Sequence, residues 1–249
     1  MAARSVQLYS VRDAVAEDLD AAVARLAAIG FSAVEPYGFH ERTEDYARAF
    51  AATGVTAPSG HAAVIDSDSP EQIFQAARTL GIQTVIDPFI PAERWQTADD
   101  VEALADRVNT LREQAATYGL EFGYHNHNWE LSTRIDGRHA LEVFVDHLAP
   151  EVVLELDTFW STVGGADTPA LLASLGDRVR FIHVKDGAIS DDTSLQQPAG
   201  SGDIGVGAIL AAAPNAVRVV EFDAYAGDVF EGIAQSFAWL DANDAQGTE

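Results

Sequence analysis

The stretch LAAIGFSAVEPYG at residues 26–38 joins an alanine-rich amphipathic segment to a short apolar run through a single glycine, Gly30. A glycine at this point accommodates the left-handed backbone with which many helices end. The run that follows is apolar without strict alternation, which is typical of a buried parallel strand. The same arrangement recurs along the chain, loosely in its last copy: AATGVTAPSG at 51–60, ARTLGIQTVIDPF at 77–89, AATYGLEFGYHNH at 115–127 and ASLGDRVRFIHVKD at 173–186.

Extended to the whole sequence, this repeat predicts helices that alternate with parallel strands. We predict strands at 6–10, 33–37, 56–60, 84–88, 121–126, 152–157, 180–185 and 218–222, with helical patterns at 17–28, 72–80, 98–118, 138–148, 170–175 and 230–240. Such alternation indicates a closed barrel or a doubly wound open sheet. The count of eight, with no glycine-rich nucleotide-binding motif after the first strand, favours the barrel. We therefore predict an α/β fold, one (β/α)8 TIM barrel domain over residues 1–249 with a polar C-terminal tail.

Composition narrows the classes of function. The 249 residues include 47% hydrophobic residues, enough for a large core, and no cysteine, which excludes disulfides, thiolate ligands and cysteine nucleophiles. Acidic residues outnumber basic ones by 39 to 15, and a net charge of −24 repels nucleic acids and anionic lipid. We see no signal peptide or membrane-length apolar run, so we expect a cytoplasmic protein that binds neither nucleic acid nor membrane.

Polar residues follow the predicted strands at their C-terminal ends, the face that carries the active site in barrels of this kind. Asp157, His183, Glu221 and one histidine of the HNH triplet at 125–127 come from four consecutive strands, so we expect them to point to one spot. Carboxylate and imidazole donors suit Mn²⁺, Mg²⁺, Co²⁺ or Zn²⁺. Without sulfur ligands a structural zinc is not expected, and coordination positions stay open for substrate. The pattern predicts one divalent metal ion.

The motifs VQLYSVRD, VEPYG, GYHNHNWEL, LELDTFW, FIHVKD and VVEFD, in this order along the chain, resemble the sugar phosphate isomerase/epimerase family of xylose isomerase-like barrels. The resemblance implies that Asp157, His183 and Glu221 are metal ligands, with Mn²⁺ as the expected ion. It also implies a carbohydrate substrate and a fold that often forms homo-oligomers. Relatives usually carry a glutamate at the end of the fifth barrel strand. That strand is predicted here at 121–126, and this sequence has His125 at the corresponding position. His127, two residues after His125, faces the same side of the strand, so it is either the alternative ligand or a base.

Only Glu221 remains of the two glutamates that act in ketose 3-epimerases, so we do not expect that mechanism unchanged. We expect a metal-dependent isomerase or epimerase that forms an enediolate, with Glu221 and His127 as acid and base. Lys185 is a candidate for binding a substrate oxygen. Candidate substrate-binding residues are Glu35, His61, Glu130, Trp129 and Trp160, of which the two tryptophans would stack on a sugar face. Glu130 could instead orient one of the histidines at 125 and 127.

Two other functions stay open at this point. The same site could serve a metal-dependent lyase that dehydrates an inosose or eliminates from a 3-keto-sugar. The chain could also be a non-catalytic carbohydrate-binding or partner subunit. A DNA-repair endonuclease, also found among these barrels, is not expected from so acidic a chain. The loop GSGDIGVG at 200–207 contains no lysine or arginine, so we expect an uncharged sugar rather than a sugar phosphate.

Overall fold

A curled sheet of parallel strands forms the centre of the molecule. The computed structural model describes residues 4–244, and within them seven strands pair in the order β1-β11-β8-β7-β4-β3-β2. Their bounds are β1 Arg4–Val6, β2 Ser59–His61, β3 Thr84–Asp87, β4 Glu121–His125, β7 Val153–Asp157, β8 Val179–Val184 and β11 Val217–Val220. Two antiparallel pairs lie outside this sheet: β5 Arg134–Ile135 with β6 Arg138–His139, and β9 Asp186–Gly187 with β10 Gln196–Gln197.

The segment 33–37 lies between β1 and β2, where the eighth strand of a barrel belongs. It makes isolated parallel bridges on both sides, Gln7 with Glu35 and Tyr37 with His61. Pro36 has no amide hydrogen to donate, which interrupts the regular ladder. The segment therefore completes the ring without forming a continuous strand. The predicted (β/α)8 TIM barrel is confirmed.

Helices surround the sheet and follow its strands. Their bounds are α1 Arg12–Glu17, α2 Leu19–Ile29, α3 Thr43–Thr53, α4 Pro70–Leu80, α5 Ala98–Thr117, α6 Trp129–Ser132, α7 Ala140–His147, α8 Thr158–Val163, α9 Thr168–Leu175, α10 Val206–Ala212 and α11 Val229–Asn243. Short 3₁₀ turns lie at Leu8–Val11, Phe39–Glu41, Ala92–Trp95, Gly176–Arg178 and Thr193–Leu195. Thr97 and Asp100 form a capping box that starts α5. No helix among residues 4–244 combines the length and the hydropathy needed to cross a membrane.

Several predicted boundaries are wrong, and two of them have identifiable reasons. The first strand was predicted at 6–10 but ends at Val6, because the side chain of Gln7 accepts a hydrogen bond from Tyr9 N and starts a 3₁₀ turn. The helix predicted at 17–28 is two helices, α1 and α2. They separate at Asp18, which is extended and caps α2 by accepting from Ala21 N. The single-domain extent stays a prediction, and its residues 1–3 and 245–249 lie outside the described residues.

The barrel interior is built in layers. Since alternate residues of a strand face the same side, every second position of β7, β8 and β11 lines the inside. The lower layer is apolar and contains Ile86, Val153, Phe181 and Val219 in one buried cluster. The positions above it, toward the C-terminal ends of the strands, carry ionisable side chains. The core thus ends where the candidate site begins.

Candidate active site and metal centre

Strand periodicity sets the polar layers of the barrel. Two residues beyond the apolar positions Val153, Phe181 and Val219 lie Glu155 in β7, His183 in β8 and Glu221 directly after β11. Two residues further along the chain in each case lie Asp157 and Lys185, inside the barrel, and Asp223, just beyond β11. All but the partly exposed Asp223 are buried. The strands therefore stack two layers of charge at the C-terminal end of the barrel.

Three predicted ligands converge as one group, Asp157, His183 and Glu221, whose ligand atoms lie within 4.8 Å of one another. Nδ1 of His183 is 3.0 Å from Glu221 Oε2 and 3.8 Å from Asp157 Oδ2. The fourth, His125, places Nε2 at 3.7 Å from Asp157 Oδ2. The structure therefore brings together all four residues that the sequence suggested as ligands.

A second group, not predicted, shares the ring of His183. It contains Glu155 and three histidines, His61, His125 and His183. Oε2 of Glu155 lies 2.5 Å from His61 Nε2, 3.1 Å from His125 Nδ1 and 3.2 Å from His183 Nε2. The alternation in LELD, which places Glu155 on the same side of β7 as Asp157, was the available signal.

The donor set fits a divalent cation. Carboxylate oxygens and imidazole nitrogens are the donors that borderline and hard divalent ions take. Two buried carboxylate oxygens, Glu155 Oε1 and Asp157 Oδ2, have no hydrogen-bond partner, although Lys185 Nζ lies 2.8 Å from the latter. Burial holds the pKa of His125 well below its usual value, which leaves a neutral imidazole able to ligate a metal.

Lys185 lies inside this charge cluster rather than at a substrate surface. Its ammonium group forms ion pairs with Asp157 at 2.8 Å, with Asp223 at 2.9 Å and with Glu221. Burial opposes its charge, but the three carboxylates raise the pKa of Lys185 well above its usual value. The residue is a fixed countercharge, so it is not suited to the predicted contact with a substrate oxygen.

His127 lies at the mouth of the barrel, outside both ligand groups. Its ring stacks on Trp129 with centroids 4.4 Å apart and meets the edge of Phe89 at 5.4 Å. Nδ1 of His127 has no hydrogen-bond partner. Burial, with the positive charge of Lys185, lowers the pKa of His127 to about 4. The imidazole is therefore neutral at physiological pH and keeps a nitrogen lone pair for a proton.

Two predicted substrate-binding residues, Glu35 and Glu130, face protein instead. Glu35 is fully buried and accepts from Gln7 Nε2, Ser59 Oγ and His183 Nε2. Glu130 is also fully buried and accepts from Tyr124 Oη at 2.7 Å and from the backbone N–H of His127 at 2.9 Å. It therefore holds the backbone of His127 and does not orient its ring.

The two predicted stacking residues are also held by the protein. Trp129 is partly buried, stacks on His127 and donates its indole N–H to the carbonyl of Ile90. Trp160 is buried, with the ammonium of Lys185 5.7 Å from its ring centroid. Because of these contacts, neither tryptophan is placed to stack on a bound sugar.

A cavity of about 480 Å³ opens over the site. Its polar floor includes His61, His125, His127 and Glu221, and its walls include the aromatic rings of Tyr9, Tyr37 and Phe89. Among residues 4–244, no lysine or arginine lines it. Glu35, Trp160 and Lys185 do not border it either. The cavity matches a small polar molecule that has apolar faces and needs no cationic partner.

The glycine-rich loop at 200–207 wraps around a carboxylate of the protein itself. Asp186 accepts hydrogen bonds from the backbone N–H groups of Gly187, Gly200 and Ile204 at 2.8–3.1 Å. The N–H of Asp203 donates to the carbonyl of Gly187 at 2.9 Å. These amides, which could otherwise bind a phosphate, are thus occupied.

The chain resembles solved structures over nearly its whole length. One is a sugar phosphate isomerase/epimerase from Parabacteroides distasonis, 22% identical with a TM-score of 0.82, covering 97% of this chain and 94% of that chain. A second is an IolI protein with a bound zinc atom, 16% identical with a TM-score of 0.75, covering all of both chains. A third is the probable 3-DHS dehydratase AsbF of Bacillus anthracis, 13% identical with a TM-score of 0.73, covering 96% and 98%.

At these identities the likeness establishes the fold, and the relatives differ in their named reactions. No curated protein sequence matches this chain significantly. The family model described as xylose isomerase-like TIM barrel matches residues 23–241, most of the chain. The resemblance drawn from the strand-end motifs is confirmed: the chain belongs to the xylose isomerase-like TIM barrel family.

Proposed function

We propose that this protein is a divalent-metal-dependent isomerase or epimerase that acts on an uncharged keto sugar through an enediolate. One observation carries the proposal: His125, Asp157, His183 and Glu221 converge beneath a cavity of about 480 Å³. Two carboxylates and two imidazoles from four strands suit one ion, for which we propose Mn²⁺, with Mg²⁺, Co²⁺ and Zn²⁺ as alternatives. Such an ion would act as a Lewis acid on a sugar carbonyl.

Removal of the carbon-bound proton falls to His127 in this proposal. An isomerase can return that proton from His127 to the neighbouring carbon on the same face, whereas an epimerase needs a second acid, such as a water molecule, on the opposite face. Nδ1 of His127 has no partner, the residue borders the cavity, and its low pKa keeps it neutral. Glu221 also borders the cavity, but its Oε2 is held by His183 and Lys185, and Lys185 and His183 hold its pKa well below the usual value against the effect of burial. Glu221 Oε2 is thus engaged by two cationic or hydrogen-bonding groups, whereas Nδ1 of His127 is unpartnered. We therefore assign Glu221 to the metal and His127 to the proton.

Charge in the cavity supports an uncharged substrate. No lysine or arginine among the described residues borders it, while Glu41, Glu221 and Asp223 do. A sugar phosphate would bring two negative charges close to these carboxylates. Hydroxyl groups, by contrast, can donate to them and accept from His61.

A metal-dependent lyase is the second candidate, and the position of His127 favours it as well. After removing the carbon-bound proton, the same imidazole could protonate a departing hydroxyl or glycosidic oxygen in place of carbon. The likeness to a probable dehydratase concerns the fold, yet it is compatible with this outcome. The two reactions share the site and differ in their product.

The test is proton exchange at carbon, measured by NMR in D2O with added Mn²⁺. Uncharged ketoses, inososes and 3-keto-glycosides form the panel, and ketose phosphates form the comparison. We expect deuterium uptake with an uncharged compound, its loss in Asp157→Asn together with bound metal, and its loss in His127→Gln with metal retained. An isomer as product supports the isomerase, and loss of water or of an aglycone supports the lyase.

Two results would contradict the proposal. Exchange that persists in Asp157→Asn would separate the chemistry from the metal centre. A chain that binds sugar but exchanges no proton, whatever the metal, would be a carbohydrate-binding or partner subunit.

A further inference from the structure

We infer that Glu155 is the positioning residue of the metal centre, which holds the rings of His125 and His183 so that one nitrogen of each faces Asp157 and Glu221. This role rests on the metal centre proposed above and adds to it a residue that lies outside the proposed set of ligands. The role is inferred from the positions of the four ring nitrogens of His125 and His183. One nitrogen of each ring faces Glu155, and the other faces Asp157 or Glu221.

The ring of His125 is held between two carboxylates. Its Nδ1 lies 3.1 Å from Glu155 Oε2, and its Nε2 lies 3.7 Å from Asp157 Oδ2. An ionised carboxylate only accepts hydrogen bonds, so Nδ1 donates to Glu155. A neutral imidazole then has its lone pair on Nε2, the atom on the Asp157 side. Glu155 thus selects the tautomer that can ligate an ion there.

Glu155 also holds the ring of His183, but through Nε2 instead of Nδ1. Nε2 lies 3.2 Å from Glu155 Oε2 and 2.9 Å from Glu35 Oε1, whereas Nδ1 lies 3.0 Å from Glu221 Oε2. The inner carboxylates therefore accept from Nε2, and Nδ1, which donates to Glu221, faces the proposed ligand group. A metal ion there would take the place of the proton on Nδ1. A histidine that ligates a metal commonly donates its other N–H to a carboxylate in this way.

Glu155 is itself fixed in place. It is buried, and its Oε2 lies 2.5 Å from His61 Nε2, which brings three imidazoles around one oxygen. Its position on β7, two residues before Asp157, places it one layer deeper in the barrel than that proposed ligand. One rigid strand therefore supplies both the ligand and the group that orients the neighbouring ligands.

The experiment compares Glu155→Gln with Glu130→Gln, which changes another buried carboxyl group of the same barrel that contacts no histidine ring. Mn²⁺ affinity is measured by calorimetry, metal content by elemental analysis, and the ligand field by the absorption spectrum of the Co²⁺ form. We expect one ion per chain in all three proteins and an affinity about 10–100-fold lower in Glu155→Gln alone. Glu155→Asp, which keeps the charge, should recover part of the loss.

Metal-loaded crystals of the unmodified protein give a readout that does not depend on the folding of a variant. The anomalous signal of Mn²⁺ should lie nearer to His125 Nε2 than to His125 Nδ1. An ion placed on Glu155 and His61, or two ions per chain, would make Glu155 a ligand and overturn the inference. Wild-type affinity in Glu155→Gln would also overturn it. If Asp157→Asn binds Mn²⁺ normally, the proposed metal centre itself fails, irrespective of Glu155.

Discussion

Lys185 Nζ lies 2.8 Å from Asp157 Oδ2 inside the barrel, and neither side chain is exposed. Removing one partner of a buried ion pair leaves an uncompensated charge and typically costs about 3–5 kcal/mol. We expect Lys185→Met, which keeps the length of the side chain, to lower the free energy of unfolding by about that amount, measured by urea denaturation at neutral pH.

The control for this variant is Arg138→Met. It breaks an ion pair of similar length with Asp146, but both partners are about half exposed, so we expect a much smaller change in the free energy of unfolding. Equal losses in the two variants would mean that Lys185 is not the countercharge of the cluster. Added Mn²⁺ should stabilise Lys185→Met more than the unmodified protein, because a divalent ion also compensates the carboxylates.

The stability of the protein should depend on pH through Glu130. Burial raises the pKa of Glu130 to about 8 from an ordinary 4.5, so the folded state holds this proton more tightly than the unfolded state. Its contribution to the free energy of unfolding is therefore largest below the unfolded pKa and falls as the pH rises toward 8. The difference in stability between the unmodified protein and Glu130→Gln should shift in favour of the variant between about pH 5 and about pH 8.

Urea denaturation of both proteins across this range provides the measurement. Other groups titrate in both proteins alike, so their effect cancels in the difference. A difference that is independent of pH would show that Glu130 is ionised in the folded state at all these values.

The architecture was predictable from the sequence because it depends on patterns within single segments. The glycine after each helix and the apolar run behind it specified the alternation of helices and strands, and the count of runs indicated a closed ring. The predictions failed where a single side chain determines the local backbone conformation. The Gln7 side chain that turns the backbone after β1 and the Asp18 cap that divides α1 from α2 leave little trace in hydropathy.

The candidate site was predictable only in part for a related reason. Residue type and strand ends identified Asp157, His183 and Glu221, which do converge. Glu155 was missed because it lies inside a strand, although its parity with Asp157 pointed inward. The surroundings of Lys185 and Glu130 depend on residues distant in sequence, such as Asp223 and Tyr124, and no spacing rule anticipates those contacts.

The loop around Asp186 makes a close-packed element that depends on Gly202. A Cβ added at Gly202 would lie 2.1 Å from the backbone nitrogen of Gly187 and 2.4 Å from Asp186 Oδ1. The neighbours are backbone and a buried hydrogen-bonding oxygen, so they cannot move aside cheaply. We expect Gly202→Ala to destabilise the protein by about 1–3 kcal/mol, measured by thermal or urea unfolding.

Gly207 is the matched control for that substitution. It lies in α10, and a Cβ there would meet nothing within 4 Å. Alanine is favoured over glycine within a helix, so Gly207→Ala should be neutral or stabilising by up to about 1 kcal/mol. Both variants losing the same stability would indicate general sensitivity of the segment rather than the contact with Asp186.

The acidic surface should make the stability of the protein depend on salt. A net charge of −24 repels itself, and the Debye length falls from about 30 Å at 0.01 M to about 3 Å at 1 M salt. Screening removes more of this repulsion from the folded state, because the unfolded chain holds the same charges farther apart. We therefore expect the free energy of unfolding to rise as NaCl increases over this range. The double variant Glu102→Gln with Asp106→Asn, which removes two exposed charges from α5, should show a smaller rise. A stability that falls with salt in the unmodified protein would mean that its ion pairs outweigh the repulsion of its excess carboxylates.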